Sequence, residues 1–356
     1  MLMTTDILQH DNDDVHGFNG AKAHLARQVK ELGRQTAAEL LLKDLPPVSY
    51  IVPGCIPEGL SILAGRPKLG KSWLSLGIAV AIATGGQALG SIPVKQGSVL
   101  YLALEDNERR LQRRLKQLLP ESIRPEMLYI DTQCPSLDSG GIEAISDWVR
   151  TTKDAHLVII DVFSKIRPQR NNSDTQYDAD YRALSPLKQL ADKAGIGVLI
   201  VHHVRKMGAE DPFDTVSGTT GFTGAADTVL ILDSNGSGKT LYARGRDIEE
   251  IETAVSFERQ TGAWIALGSA SEVRRSDERQ AILALLESAG GPMAPAQIAD
   301  QLGVQSNNIR QLLSKMAKTG EVEKVGKGGY VCGAEAKAYT SRDNSDHVIT
   351  EWDEAA

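Results

Sequence analysis

Two glycines, a lysine and a serine in the run Gly65-Arg66-Pro67-Lys68-Leu69-Gly70-Lys71-Ser72 have the spacing of a loop that wraps phosphate. Glycine lets the backbone approach an anion with no side chain in the way, so successive N–H groups turn inward around a β-phosphate. The positive end of the following helix points at the same charge. Lys71 would reach the β- and γ-phosphates as a point charge, and the Ser72 hydroxyl would complete the coordination of Mg²⁺. The apolar run Leu60–Ala64 predicts a strand before the loop and Ser72–Thr84 a helix after it, the context such a loop requires. The expected ligand contacts are Gly65, Arg66, Pro67, Lys68, Leu69, Gly70, Lys71, Ser72 and Trp73, and the expected cofactors are ATP and Mg²⁺. A second run, Asn235-Gly236-Ser237-Gly238-Lys239-Thr240, also ends in Gly-Lys-Thr. Asp233 stands where its first glycine belongs and β-type runs flank it, so it reads as a hairpin turn.

Cleaving a γ-phosphate also needs a held metal, an oriented water and compensation of the developing charge. Asp161 ends the apolar run Leu157–Ile160, a pattern in which the carboxylate holds a metal-bound water; a helix N-cap after a strand is the alternative. Glu105 follows Val99–Leu104 and is expected to polarise the attacking water from the end of a strand next to the phosphate loop. An acid there also suits the start of the predicted helix Asn107–Leu119, the role given to Asp106. His202 and His203 end the run Gly197–Val201. Neighbours on a strand face opposite ways, which ill suits one metal, so His203 is expected to touch the γ-phosphate and report its loss to the next segment. That segment, Val204–Thr220, is long and polar, carries Arg205 and Lys206, and is expected to move with nucleotide state and contact a phosphate backbone. Arg244-Gly245-Arg246 is remote in sequence from the phosphate loop. It reads either as a cation donated to a neighbouring subunit's γ-phosphate or as an ion pair with Asp247, Glu249 or Glu250 in the same chain.

These groups need a scaffold. The β-type runs at 60–64, 98–104, 127–130, 157–161 and 197–202 alternate with helical stretches at 72–84, 107–119, 141–153 and 176–193. Such alternation predicts an α/β fold with a mainly parallel sheet, covered on both faces, whose functional residues gather at the C-terminal strand ends. Runs at 228–232, 240–243, 254–258 and 263–267 follow without helices and predict an antiparallel extension of that sheet. Ahead of this domain, 48–268, stand a polar start expected to be disordered, 1–20, and a helical arm, 21–47, which packs on its own core or on a neighbour. Beyond it come a charged linker, 269–277, and a pattern of three helices and two short strands, 278–332, that predicts a winged helix-turn-helix. A flexible tail, 333–356, is expected to close the chain.

Composition bounds the rest. A chain of 356 residues, 41% hydrophobic, can bury one large core and one small one. Its net charge of −7 requires any nucleic-acid contact to come from local patches. The three cysteines are widely spaced without a CxxC pair, which argues against disulfides or structural zinc and for a reducing, cytoplasmic setting. No apolar run reaches the roughly 18 residues that cross a bilayer, so no membrane partner is expected.

Together, Leu63–Ser72, Tyr101-Leu102-Ala103-Leu104-Glu105-Asp106, Val158-Ile159-Ile160-Asp161, His202-His203 and Gly221-Phe222-Thr223-Gly224-Ala225-Ala226-Asp227 resemble the RecA/DnaB-like P-loop ATPases. Within them the likeness is to the hexameric replicative DNA helicases of plasmids and phages typified by RepA, an AAA family ATPase group, and it covers residues 48–268. The resemblance implies a RecA-like fold and a ring-shaped homo-oligomer that hydrolyses ATP at subunit interfaces and translocates on single-stranded DNA. It implies Lys71 and Ser72 on phosphate and Mg²⁺, Glu105 as activator of water, Asp161 in the metal shell through a water, and His203 as sensor. It assigns Arg246, with Arg244 as companion, to the neighbouring site. A recombination or regulatory ATPase without unwinding, or a nucleotide-controlled DNA-binding regulator, would use the same core. The C-terminal domain lies outside that family core: Asn307, Asn308 and Arg310 at the exposed start of its recognition-type helix suit a major groove. Yet Glu278–Cys332 carries six basic and five acidic residues, a weak field, so duplex DNA and a replication protein both stand as partners for it.

Overall fold

The computed structural model describes residues 35–170, 174–204, 211–216, 220–235, 238–326 and 328–333. The chain divides into two units, 1–47 and 48–356. In the first, α1 (Ala37–Leu41) opens on a capping box: the Thr36 hydroxyl accepts from Glu39 N, and the Glu39 carboxylate accepts from Thr36 N. The remainder of the expected start and arm, 1–34, lies outside the described residues.

The second unit begins with a short hairpin, β1 (Tyr50–Val52) and β2 (Ile56–Pro57), that leads into β3 (Gly59–Gly65) and α2 (Lys71–Thr84). A second small hairpin, β4 (Gln87–Ala88) and β5 (Ile92–Pro93), precedes β6 (Ser98–Ala103), α3 (Glu108–Leu118), β7 (Leu128–Asp131) and α4 (Ile142–Thr151). Then come β8 (Ala155–Asp161), α5 (Gln176–Ala194), β9 (Gly197–His203), α6 (Thr220–Ala225) and four strands, β10 (Thr228–Asn235), β11 (Gly238–Gly245), β12 (Ile251–Phe257) and β13 (Trp264–Ser269). The large sheet has the order β13-β12-β11-β10-β3-β9-β8-β6-β7. From β10 to β7 the strands are parallel, and β11 to β13 add on antiparallel. This is the mainly parallel sheet with an antiparallel extension that the alternation predicts.

The central strands are apolar throughout because helices cover both faces. Leu63, Val99, Tyr101, Leu157, Ile159, Leu199 and Val201 pack with Leu74, Ile78 and Ile82 of α2. The alternate residues, Leu60, Ile62, Leu100, Val158, Ile160, Val198 and Ile200, pack with Leu184, Leu187 and Ala191 of α5. A period of two carries this division to the strand tips: Asp161 shares the α2 face with Ile159, His203 shares it with Val201, and His202 faces the other way.

Two expectations need correction. The strand that leads to Glu105, β6, is not next to the phosphate-loop strand; β9 and β8 lie between them. Strand order is a long-range property that local pattern does not encode. The segment 269–277 is not a linker but the start of a helix, α7 (Ala270–Ala289). Its charged residues are helix formers, Ala270 is buried, and Arg274 pairs with Glu252 at 2.8 Å, so polarity there marks a solvated helix rather than a break. Downstream, α8 (Pro295–Leu302), α9 (Ser306–Lys318), β14 (Val322–Val325) and β15 (Gly329–Cys332) close a separate core on Ile282, Leu286, Ile298, Ile309, Leu313 and Met316. Gly303, with φ +67, turns α8 into α9. The Gly-Lys-Thr look-alike lies at the β10–β11 hairpin, where Asn235 pairs with Gly238. Among the described residues no helix is long and apolar enough to cross a membrane.

One buried carboxylate ties the sheet's lower end together. Asp227 Oδ2 accepts from Leu60 N at 2.9 Å and from Lys188 Nζ at 2.8 Å. Gly59 stands beside it with φ +99, where a Cβ would come within 2.6 Å of that oxygen. Asp227→Ala strands a buried N–H and a lysine, and we expect it to lower unfolding free energy by about 2–4 kcal/mol. The midpoint of the main urea transition checks this; an unchanged midpoint contradicts the role.

Candidate nucleotide site

The loop between β3 and α2 is shaped by its glycines. Gly70 has φ +101 and forms the N-cap of α2, which has no side-chain cap and no acidic residue in its first turn. The helix therefore presents its first N–H groups toward the loop's interior. Trp264, from β13, donates Nε1–H to Gly70 O at 3.1 Å and holds the loop from outside. A Cβ on Gly65 would stand 2.5 Å from Leu232 O, and one on Gly70 3.0 Å from the Trp264 ring, so both positions admit only glycine without a shift.

Inside the loop the Lys71 side chain is buried. Its ammonium donates to Gly65 O at 2.7 Å and Arg66 O at 2.9 Å and meets His203 Nδ1 at 3.0 Å. Burial draws its pKa down to about 8, against the pull of Asp161 and Glu105. The register makes the histidine contact unavoidable, since Gly65 pairs with His203 across β3 and β9. Burial and the adjacent ammonium lower the His203 pKa, so the ring is neutral. With Nδ1 facing an ammonium, its proton sits on Nε2, which lies 3.8 Å from Glu105 Oε2. Glu105 itself is half exposed.

Asp161, at the tip of β8, is buried. Its Oδ2 accepts from the Tyr101 hydroxyl at 2.8 Å, and the Ser72 side chain also hydrogen-bonds the carboxylate. Its Oδ1 is buried with no hydrogen-bond partner among the described residues. Burial raises the pKa of this carboxyl. A desolvated carboxylate with an orphaned oxygen beside a serine hydroxyl fits a hard cation. Among the described residues no group of three or more His, Cys, Asp or Glu side chains holds a metal alone, so a cation here needs the oxygens of a bound phosphate as well.

The structure thus brings together Lys71, Ser72, Glu105, Asp161 and His203. Trp73 departs from the expected set: its ring packs on Phe257 at 5.8 Å, under Arg114 at 5.2 Å, which leaves its backbone alone at the loop. Leu69 likewise packs on the core, and Arg66, Pro67 and Lys68 are exposed. His202 stacks on Phe222 at 4.4 Å on the far face, where burial takes its pKa to about 4. Arg205 and Lys206 lie outside the described residues. Asn307, Asn308 and Arg310 are exposed at the start of α9. Sequence reasoning misses Tyr101; its signal is a single hydroxyl at an inward position of an otherwise aliphatic strand, fixed further by Ser75 Oγ at 3.1 Å.

The two arginines separate. Arg244 pairs with Glu250 at 2.8 Å and Asp211 at 3.1 Å and lies over the Phe213 ring at 4.1 Å, the in-chain arrangement. Arg246 is 62% exposed and only grazes Asp227, at 3.5 Å. Thr228 pairs with Gly245 on one side and Ser61 on the other, so Arg246 sits at the opposite end of β3 from Gly65. Ser61 to Gly65 alone is about 13 Å of strand. Arg246 does not reach the phosphate loop of its own chain.

A phosphate loop with a buried lysine and a strand-end aspartate, on a mainly parallel sheet of this order, defines a P-loop ATPase of RecA-like architecture. The chain belongs to the AAA domain family, which it matches over residues 26–209. Residues 274–329 match a domain of unknown function. Similar solved structures include one described as an isolated ATPase domain, at 13% identity and TM-score 0.49, covering 73% of this chain and 100% of that one. Another is a DnaB-like replicative helicase described with its primase interactions, at 13% identity and TM-score 0.47, covering 71% of this chain and 72% of that one. No curated protein matches the sequence.

The lowered Lys71 pKa has a measurable sign. A bound triphosphate favours the ammonium and raises that pKa, so binding takes up protons near and above pH 8, where the free site is partly deprotonated, and almost none near pH 6. Calorimetry of nucleotide binding in buffers of different ionisation enthalpy measures the uptake; proton release at pH 8 contradicts it.

Proposed function

We propose that the chain is the protomer of a ring-forming, ATP-driven motor of the replicative helicase type, hydrolysing ATP between subunits to move along single-stranded DNA. The observation that carries this is the split between two ends of one sheet. Lys71, Ser72, Asp161, Glu105 and His203 converge at the C-terminal edge, while the exposed cation Arg246 stands at the other edge, out of reach of its own loop. A head-to-tail contact, repeated until it closes, supplies each loop with the next protomer's arginine, and six copies is the proposed ring.

In this reading Lys71 leaves the loop carbonyls for the phosphates, and the first N–H groups of α2 hold the β-phosphate. Ser72 would ligate Mg²⁺ directly and the free Oδ1 of Asp161 would hold a metal-bound water; the cation's chemistry is to neutralise charge between the β- and γ-oxygens. Glu105, half exposed at the mouth of the site, accepts a proton from the attacking water. His203 is drawn between Lys71 and Glu105 and loses its ammonium partner when Lys71 turns to phosphate, which makes it the sensor. The following segment, with Arg205 and Lys206, would contact the DNA backbone. Residues 278–332 have the helix and strand order of a winged helix, with Asn307, Asn308 and Arg310 facing solvent for duplex DNA or a replication protein. The free thiols of Cys55, Cys134 and Cys332 support a reducing, cytoplasmic setting.

Strand separation of a forked duplex, driven by ATP, tests the motor. ATPase activity stimulated by single strands without unwinding would place the chain with recombination or regulatory ATPases instead. Arg246→Ala is expected to form rings and bind nucleotide yet lose about three to five powers of ten in turnover. Normal turnover in that variant excludes the arginine's role.

A further inference from the structure

The solvent side of α3 carries a row of cations that the nucleotide site does not use. Arg109, Arg113 and Lys116 recur at helical spacing opposite Leu111, Leu115 and Leu118, which pack on the core. All three are exposed and, with Asn107 and Gln112, line a surface groove. Arg110 and Arg114 on the same helix are compensated by Asp106. Arg109, Arg113 and Lys116 form no ion pair among the described residues, although the chain as a whole is at −7. The row begins four residues after Glu105.

The opposite end of the sheet shows the complementary pattern. Arg246 is followed by Asp247, Glu249 and Glu250, all exposed. Arg244 takes Glu250, while Asp247 and Glu249 have no ion pair among the described residues. Uncompensated anions accompany the arginine, and uncompensated cations accompany the site proposed to receive it. The scales agree: Arg109 to Lys116 is about 10 Å of helix, and Arg246 to Glu249 at most about 10 Å of chain.

We infer that Asp247 and Glu249 of one protomer dock on Arg109, Arg113 and Lys116 of the next, a charge latch that sets the register of Arg246 against the phosphate loop. The inference rests on the ring reading and adds to it the surfaces that meet. A nucleic-acid backbone would also suit three cations. The matched pair of unpaired anions beside Arg246 favours a second copy of this chain.

The test is assembly of the full chain with a non-hydrolysable ATP analogue, followed by sedimentation across protomer concentration and salt, with affinity for a single-stranded oligonucleotide measured in parallel. Arg113→Glu with Lys116→Glu is expected to raise the assembly midpoint at least about tenfold, and Asp247→Lys with Glu249→Lys to do the same. Combining all four restores it to within about threefold of the unaltered chain, and raised salt weakens the unaltered ring. Nucleotide binding by dilute protomers stays unchanged in every variant, which reports an intact fold. Unchanged midpoints in the reversed variants, or failure of the combination to rescue, overturn the latch. Lost oligonucleotide affinity with intact assembly also overturns it and makes the row a nucleic-acid face. An unaltered chain that never assembles overturns the ring reading and the latch together.

Discussion

A lysine ammonium held inside the protein without an anion is the constraint around which the rest is arranged. Lys71 is buried, and its charge is met by two loop carbonyls and one imidazole nitrogen, all neutral. Neutral acceptors replace lost hydration only in part, which is why burial pulls the pKa down to about 8 even with Asp161 and Glu105 nearby. Asp161 has the converse problem, a desolvated carboxylate with one oxygen unserved. Both groups are under-compensated in the same small space, and a phosphate chain with its cation supplies what each lacks. The site is built in advance of its ligand, and its unfavourable electrostatics are relieved by binding.

That arrangement is made by sheet geometry rather than by the loop alone. The register that sets His203 opposite Gly65 delivers the imidazole to Lys71, and the register that sets Ala103 opposite Asp161 brings Tyr101, two residues back on the same face, within reach of the carboxylate. The antiparallel extension takes part as well: β13 provides Trp264, whose indole N–H holds Gly70 O, and the aromatic group of Trp73, Phe257 and Trp264 fixes the start of α2. Asp227 joins the lower end of β3 to α5 at the start of β10. The same sheet that concentrates the catalytic groups at one edge carries Arg246 to the other, so incompleteness of the single protomer is a consequence of its topology.

Much of this was legible because the determinants are local. The phosphate loop announces itself by residue type and spacing, Asp161 by its place after four apolar residues, and the choice of His203 over His202 by strand periodicity alone. What escaped depends on contacts distant in sequence. Tyr101 and Trp264 acquire their roles from partners 60 and 194 residues away. The neighbours of β6 follow from strand order, and the 269–277 segment is helical because its ends bury against two different cores while its middle stays solvated. Arg244 and Arg246 are indistinguishable in sequence. They part company only when the fold brings Asp211 and Phe213 to Arg244 and leaves Arg246 in solvent.

The central claim is that the arginine of one protomer completes the phosphate site of another, and mixing two crippled variants measures it most directly. Lys71→Ala lacks the grip and Arg246→Ala lacks the cation, so each alone is inactive. In a mixed ring the intact loop of one meets the intact arginine of the other at about a quarter of the interfaces. The account predicts that ATP turnover, absent in either preparation, returns on mixing at roughly that fraction of the unaltered rate. A mixture as inactive as its components, despite co-assembly, would contradict it.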